Sequence, residues 1–252
     1  MLVLLALAAV LVVLVVRTGY SYTPAGDIGA IDLRVREVWS LHPPLVGPYG
    51  NHGWNHPGPL MFYLLALPSL VSGQAAWGTQ VGAALLQGVA IVWLAVLAWR
   101  RGGLPLLAVA MVGMALLANA MDPQLVRDPW NPHVALPWFA LFVFQAWLLA
   151  TGDAARLPGA VAVGSFLVQT HVGYLPLVVT AGAVVVVCRI VDVRGSRVTA
   201  SWRRPLRWAL LLGGLLWLPP LLDALQDWPG NLGDIVAYFL HPDRSLQPRL
   251  GF

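Results

Sequence analysis

Runs of apolar residues, parted by short loops whose only cation is arginine, restrict this chain to a lipid bilayer. A hydrocarbon core about 30 Å thick asks for roughly 20 mostly apolar residues per spanning helix. Residues 77–99, 104–121, 134–150 and 175–191 read as such helices, with shorter runs at 157–169 and 208–222 and a first run at 2–16. Hydrophobic residues make up 58% of the chain and charged residues 10%, against roughly 45–50% and about 25% in a soluble domain. The reading is an all-α polytopic transmembrane bundle of about seven spans.

Two segments decide that count. Residues 2–16 carry no basic stretch ahead of them, and no small-x-small cleavage site immediately precedes Arg17, so a retained helix is expected rather than a cleaved signal. Residues 60–71 form a short apolar run between Pro59 and Gly73, interrupted by Pro68. Such a run suits an interfacial or re-entrant position.

The net charge of +4 and a pI near 9.7 do not point to nucleic acid, because all fifteen basic residues are arginines set mainly in short loops, where they orient helices. With seven spans, Arg100, Arg101, Arg156, Arg189, Arg194, Arg197, Arg203, Arg204 and Arg207 share one face, the cytoplasmic one. If residues 60–71 also crossed, those nine would stay together and Arg17, Arg34 and Arg36 would join them. In the seven-span arrangement residues 17–75 form a long external loop carrying short interfacial helices, within a module covering 1–222. Residues 223–252 would open a further external segment that Phe252 cuts short. All six histidines and nine of the eleven acids then fall at or beyond the external boundary, leaving Asp153 and Asp192 inside.

The external stretches carry the chemistry. Residues 26–37 have helical spacing with Asp27 as a candidate N-cap, and Asp32 and Arg36 lie four apart, able to pair on one face. Asp27, near where the chain leaves the membrane, is the candidate general base toward a hydroxyl. The following segment holds His52, Trp54, Asn55 and His56 among five prolines and several glycines, a shaped non-helical stretch. Its aromatic, amide and imidazole groups suit a sugar or a lipid headgroup, although Trp and Tyr also anchor ordinary interfaces. A second patch offers Asp128, Trp130, Asn131 and His133, and a third offers His171 and Tyr174. Polar groups near membrane depth face a cavity or a partner, and His171 equally suits an interhelical hydrogen bond. There is no HExxH and no Walker loop. The single Cys188 supports neither a disulfide nor a cysteine metal cluster. The sequence requires no cofactor, and a divalent cation is compatible with the external His and Asp groups.

An apolar first helix, an acid early in a long loop, and Asn55-His56-Pro57-Gly58-Pro59-Leu60-Met61-Phe62-Tyr63 together resemble the GT-C superfamily of polytopic glycosyltransferases. That superfamily includes protein mannosyltransferases, aminoarabinose transferases and arabinosyltransferases. Pro129-Trp130-Asn131-Pro132 looks like a second external element of actinobacterial proteins of this kind. The motifs cover about the first 175 residues, and Asp27 and Asp32 stand five apart where the superfamily commonly has adjacent acids. The resemblance implies an enzyme of the cell membrane with its active site facing outside. It would move a sugar, with inversion, from a polyprenyl-phosphate donor in the membrane lipid to a glycan, lipid or protein acceptor in cell-envelope assembly. Asp27 would take the acceptor's proton. Arg34 or Arg36, with His56 or His171, would stabilise the departing phosphate, and Trp54 and Trp130 would cradle sugar or acceptor.

Two other readings compete. A transporter or flippase for a lipid-linked or small polar solute calls for ionisable residues deep in several spans and for related halves, whereas these spans are almost free of charge and show no internal repeat. A non-catalytic membrane subunit would not need organised external polar patches. With Cys188 replaced, single cysteines at positions 27 and 130 should label from outside intact cells while those at 101 and 197 do not. Position 27 behaving like 101 would remove the shared external face.

Overall fold

The computed structural model describes residues 23–50, 52–120, 128–194 and 201–241, and the run at 2–16 lies outside them. Among the described residues the chain is helical without strands, apart from one isolated antiparallel bridge between Tyr49 and Asn55. The helices are α1 (Gly26–Glu37), α2 (Leu60–Val71), α3 (Ala76–Ala120), α4 (Asn131–Ala150), α5 (Leu157–Thr170), α6 (Tyr174–Arg194), α7 (Arg203–Leu216), α8 (Leu218–Gln226) and α9 (Gly230–Leu240). Three of them, α3, α4 and α6 up to Val191, are long and apolar enough to cross a membrane, or four if α7 and α8 together make one bent span.

A straight helix of the 45 residues in α3 would run about 67 Å, twice the bilayer core. It is not straight. Gly102 and Gly103 leave helical geometry, with Gly103 at φ 61°, a left-handed value that glycine adopts without steric cost. The element is therefore two limbs, 76–101 and 104–120, matching the two runs read from the sequence. At the turn, the Arg101 guanidinium lies 5.6 Å from the Trp147 ring centre and its Nη2 donates to Thr151 Oγ1 at 3.4 Å. The arginine ends of α3 and α4 thus meet. α5 returns to the opposite end and α6 runs back again, so the helices alternate between an arginine-rich end and a histidine-bearing end.

The seven-span count does not follow from length. α5 has 14 residues, about 20 Å of helix, and the expected span at 208–222 is broken. α7 and α8 meet at 45° around Trp217, because Pro219 and Pro220 have no N–H to return to the carbonyls of Leu215 and Leu216. Gln169 Nε2 supplies the donor to Leu216 O at 2.9 Å. α8 also runs across residue 222, where the sequence reading ended the membrane module, and α9 folds back onto the first loop.

α2 is 12 residues long, about 18 Å, and continues through Pro68, which removes one hydrogen bond close to the helix end. Its inner face, Met61, Phe62, Leu65 and Ala66, is buried. It joins Ile31 and Val35 of α1 and Ala83, Leu86 and Ala90 of α3 in the main core, which continues through Leu141 and Phe142 of α4 to Val163 and Phe166 of α5.

Asp32 pins α1 to this core. It is 2% exposed, Thr79 Oγ1 donates to its Oδ1 and Arg36 Nη2 to its Oδ2. Thr79→Val leaves one carboxylate oxygen buried without a partner. It should cost about 1–3 kcal/mol, seen as a lower melting temperature of the purified protein in detergent, and an unchanged melting temperature would show the tie to be inert.

Candidate functional site

The polar stretches of the first loop, the segment before α4 and the α5–α6 break meet at the histidine-bearing end. α1 starts from Ala25, whose side chain offers no cap, and Asp27 stands in the first helical turn. The N-cap expected of Asp27 is therefore corrected: its carboxylate is exposed and faces another segment, and Trp130 Nε1 donates to Asp27 Oδ2 at 3.3 Å. An acid in the first turn also meets the positive end of the helix dipole.

Asp27 lines a cleft of about 320 Å3 with Arg34, Glu37, Tyr49, Asn55 and Asn131. Arg34 Nη1 pairs with Glu37 Oε2 at 2.8 Å, both side chains about half exposed. Such an exposed pair is worth little to stability, and a competing anion can draw the guanidinium away. Asn131 is buried, and its Nδ2 donates to Thr170 O at 3.1 Å, which fixes the segment before α4 against the end of α5. Trp130 meets His133 edge to face at 4.8 Å.

The loop holding Tyr49 and Asn55 is shaped by its own backbone. Gly47 N donates to His56 O, His56 N to Pro48 O and Gly50 N to Trp54 O, at 2.9, 2.7 and 2.9 Å. Side chains at two of its glycines would collide with α5: a Cβ on Gly47 would lie 2.8 Å from Gln169 O, and one on Gly58 would overlap the Gln169 side chain.

Beside the cleft, His52, Trp54, His56 and His171 form an aromatic cluster with Tyr238 of α9. His52 stacks on Tyr238 at 4.8 Å, Trp54 meets Tyr238 at 5.6 Å, and the His56 and His171 rings are 4.4 Å apart. His171 also contacts Tyr174 edge to face at 6.2 Å. Val172 N donates to His56 Nδ1 at 3.2 Å. Burial, and then the neighbouring His171, lower the His56 pKa from 6.5 to about 4, and burial lowers that of His171. Both rings are neutral at neutral pH and would meet a phosphate as hydrogen-bond donors, not as counter-charges.

Of the residues singled out from the sequence, Asp27, Arg34, Asn55 and Asn131 line the cleft and Trp130 touches it through Asp27. His52, Trp54, His56, His171 and Tyr174 gather in the adjoining cluster. Asp32 and Arg36 pair away from the cleft lining, and Asp128, partly buried, does not line it either. Sequence reasoning missed Tyr49 and Glu37 in the cleft and the contribution of α9. There Asn231 Oδ1 accepts from Asn55 N at 2.7 Å and Asn231 Nδ2 donates to Asn55 O at 2.9 Å, while Asp223 Oδ2 accepts from Asn231 N. No motif marks Asn231; an amide in an apolar helix was the only signal. Among the described residues no group of three or more His, Cys, Asp or Glu side chains could hold a metal ion.

Comparison with protein-family models, with curated proteins and with solved structures finds no match.

The lowered His56 pKa sets a pH dependence. The unfolded chain binds more protons than the folded one between about pH 4 and 6.5, so stability is complete above about 6.5 and falls as pH drops toward 4. His56→Asn keeps an acceptor near Nδ1 without the titration. Melting curves from pH 7 to 5 should therefore be flatter for the variant than for the wild type, and parallel curves would remove His56 as the source.

Proposed function

We propose that this chain is an integral membrane glycosyltransferase of the GT-C type, transferring a sugar from a polyprenyl-phosphate donor to an acceptor hydroxyl on the outer side of the cell membrane. The observation that carries the reading is the position of Asp27. It is an exposed carboxylate at a cleft, with a side-chain partner in Trp130 from a separate loop and with Arg34, Asn55 and Asn131 around the same space.

In this reading the helices make about seven crossings and the cleft faces outward. Asp27 accepts the proton of the acceptor hydroxyl as that oxygen attacks the anomeric carbon and the bond to the donor phosphate breaks. A positioned base of this kind contributes about 10²–10⁴-fold. Trp130 holds the carboxylate in place. Arg34 exchanges Glu37 for the departing phosphate, where a charge-assisted bond counts most, and Asn55, Asn131 and Tyr49 offer directional bonds to sugar hydroxyls. The donor's hydrocarbon tail stays in lipid and needs no polar partner.

The test is transfer from polyprenyl-phosphate sugars by membranes holding the wild type or Asp27→Asn at matched, correctly inserted levels. The variant should lose about a hundred- to ten-thousand-fold in rate, and Trp130→Phe, which keeps the ring but not the hydrogen bond, should lose less. Full activity in Asp27→Asn overturns the assignment of the base.

A further inference from the structure

Helices α4, α5 and α6, with Trp202 and Trp217 at the two ends of α7, border a second, larger, open hollow of about 860 Å3 that shares no lining residue with the cleft. That volume lies within the roughly 300–1,000 Å3 typical of ligand pockets. The hollow is long. Leu175 lines it at the start of α6, and Arg189 and Ile190 line it near the other end, about 21 Å along the helix axis and so most of a hydrocarbon core about 30 Å thick. Val168 and Trp217 lie toward its histidine-side half, Leu149, Leu157 and Trp202 toward its arginine side.

Its chemistry is one-sided. Among the described residues that line it, only Ser165 and Arg189 bring polar side-chain groups other than indole, and Ser165 Oγ already accepts from Trp217 Nε1 at 3.0 Å. A polar solute would find almost nothing to bind along this length. The cation stands at one end, on the side that also carries Arg101, Arg203, Arg204 and Arg207, and Arg156, which pairs with Asp153. One wall, α6, is exposed over most of its own surface, with Leu177, Val179, Val184, Val186 and Val187 turned outward, so a chain in the surrounding lipid lies next to the slot.

We propose that this slot seats an acyl chain of an anionic phospholipid drawn from the leaflet on the arginine-rich side, with its phosphodiester beside Arg189. A lipid from the opposite leaflet would bring its headgroup to the Leu175 end, where none of the described lining residues is a cation. The same polarity separates this occupant from a donor whose phosphate belongs at the cleft. The proposal stands on the slot's apolar length and the sign of the charge at its end, and does not rest on glycosyl transfer.

The full chain, reconstituted in vesicles of equal parts phosphatidylglycerol and phosphatidylcholine and extracted into mild detergent, is examined by native mass spectrometry. The wild type should retain one phospholipid, with phosphatidylglycerol preferred roughly five- to tenfold, the effect of one nearby cation. Arg189→Gln should retain a lipid with the preference lost. Gly182 lines the slot and a Cβ there meets nothing within 4 Å, so Gly182→Leu should fill the space without a backbone clash and retain neither lipid. Retention unchanged in Gly182→Leu, no lipid on the wild type, equal retention of the two lipids by the wild type, or displacement of both by added polyprenyl phosphate would each overturn the proposal. Should Gly182→Leu fail to accumulate, the wild-type competition alone decides.

Discussion

Gln169, fully buried at the last turn of α5, joins three parts of the molecule that the chain order keeps far apart. Its carbonyl receives the N–H of Gly58 at 3.3 Å, its side chain fills the space that a Cβ on Gly58 would need, and its Nε2 holds the carbonyl left by the break between α7 and α8. In a setting without water each of these backbone groups needs an internal partner, and an unpaired one costs several kcal/mol. The amide is thus the joint on which the first loop and the broken helix are both seated. The cleft depends on it indirectly, since the backbone that presents Tyr49 and Asn55 is the backbone that rests on α5.

Two carboxylates five residues apart on α1 meet opposite fates, and the contrast explains how a short helix can serve both stability and chemistry. Asp32 faces inward, has both oxygens occupied and ties the helix to α3. Asp27 faces outward, with one indole partner among the described residues. Burying the first with partners avoids the penalty of an unpaired charge. The pinned helix then holds the second in a fixed place, the condition under which a base is effective. In the glycosyl-transfer reading the two acids are anchor and base, not a pair acting on one substrate.

Hydropathy located the apolar helices because it measures what lipid demands of each segment separately. It could place the glycine pair at 102–103 between two runs, since arginines flank it, but it gave no sign that Pro219 and Pro220 bend the last run or that a glutamine would repair the bend. The local ion pair between Asp32 and Arg36 was legible because both lie on one helix. The contacts of Asp32 with Thr79, Asp27 with Trp130 and Asn55 with Asn231 were not, because each joins residues 47 to 176 positions apart. Composition could nominate the residues that gather at one end, but only packing decides which of them share a cleft. α9 was set apart from the membrane module because its segment follows a polar stretch, yet one amide making two backbone bonds is enough to bring it back.

The two ends of the bundle are built on different rules. At the histidine-bearing end, irregular backbone is held by side-chain amides, by close glycine contacts and by stacked aromatic rings, so the groups there have fixed directions. At the arginine-rich end, among the described residues, Arg156 and Asp153 pair within one turn and Arg101 lies over Trp147. Guanidinium groups on that side suit a bilayer surface, where charge is solvated and meets lipid phosphates. In the glycosyl-transfer reading, fixed polar groups at one end and diffuse positive charge at the other is the division that a membrane imposes on a chain working from one side. The apolar slot runs between the two ends: of the helices that border it only α4 also reaches the cleft, through Asn131, and the one cation among its described lining residues, Arg189, lies on the arginine-rich side.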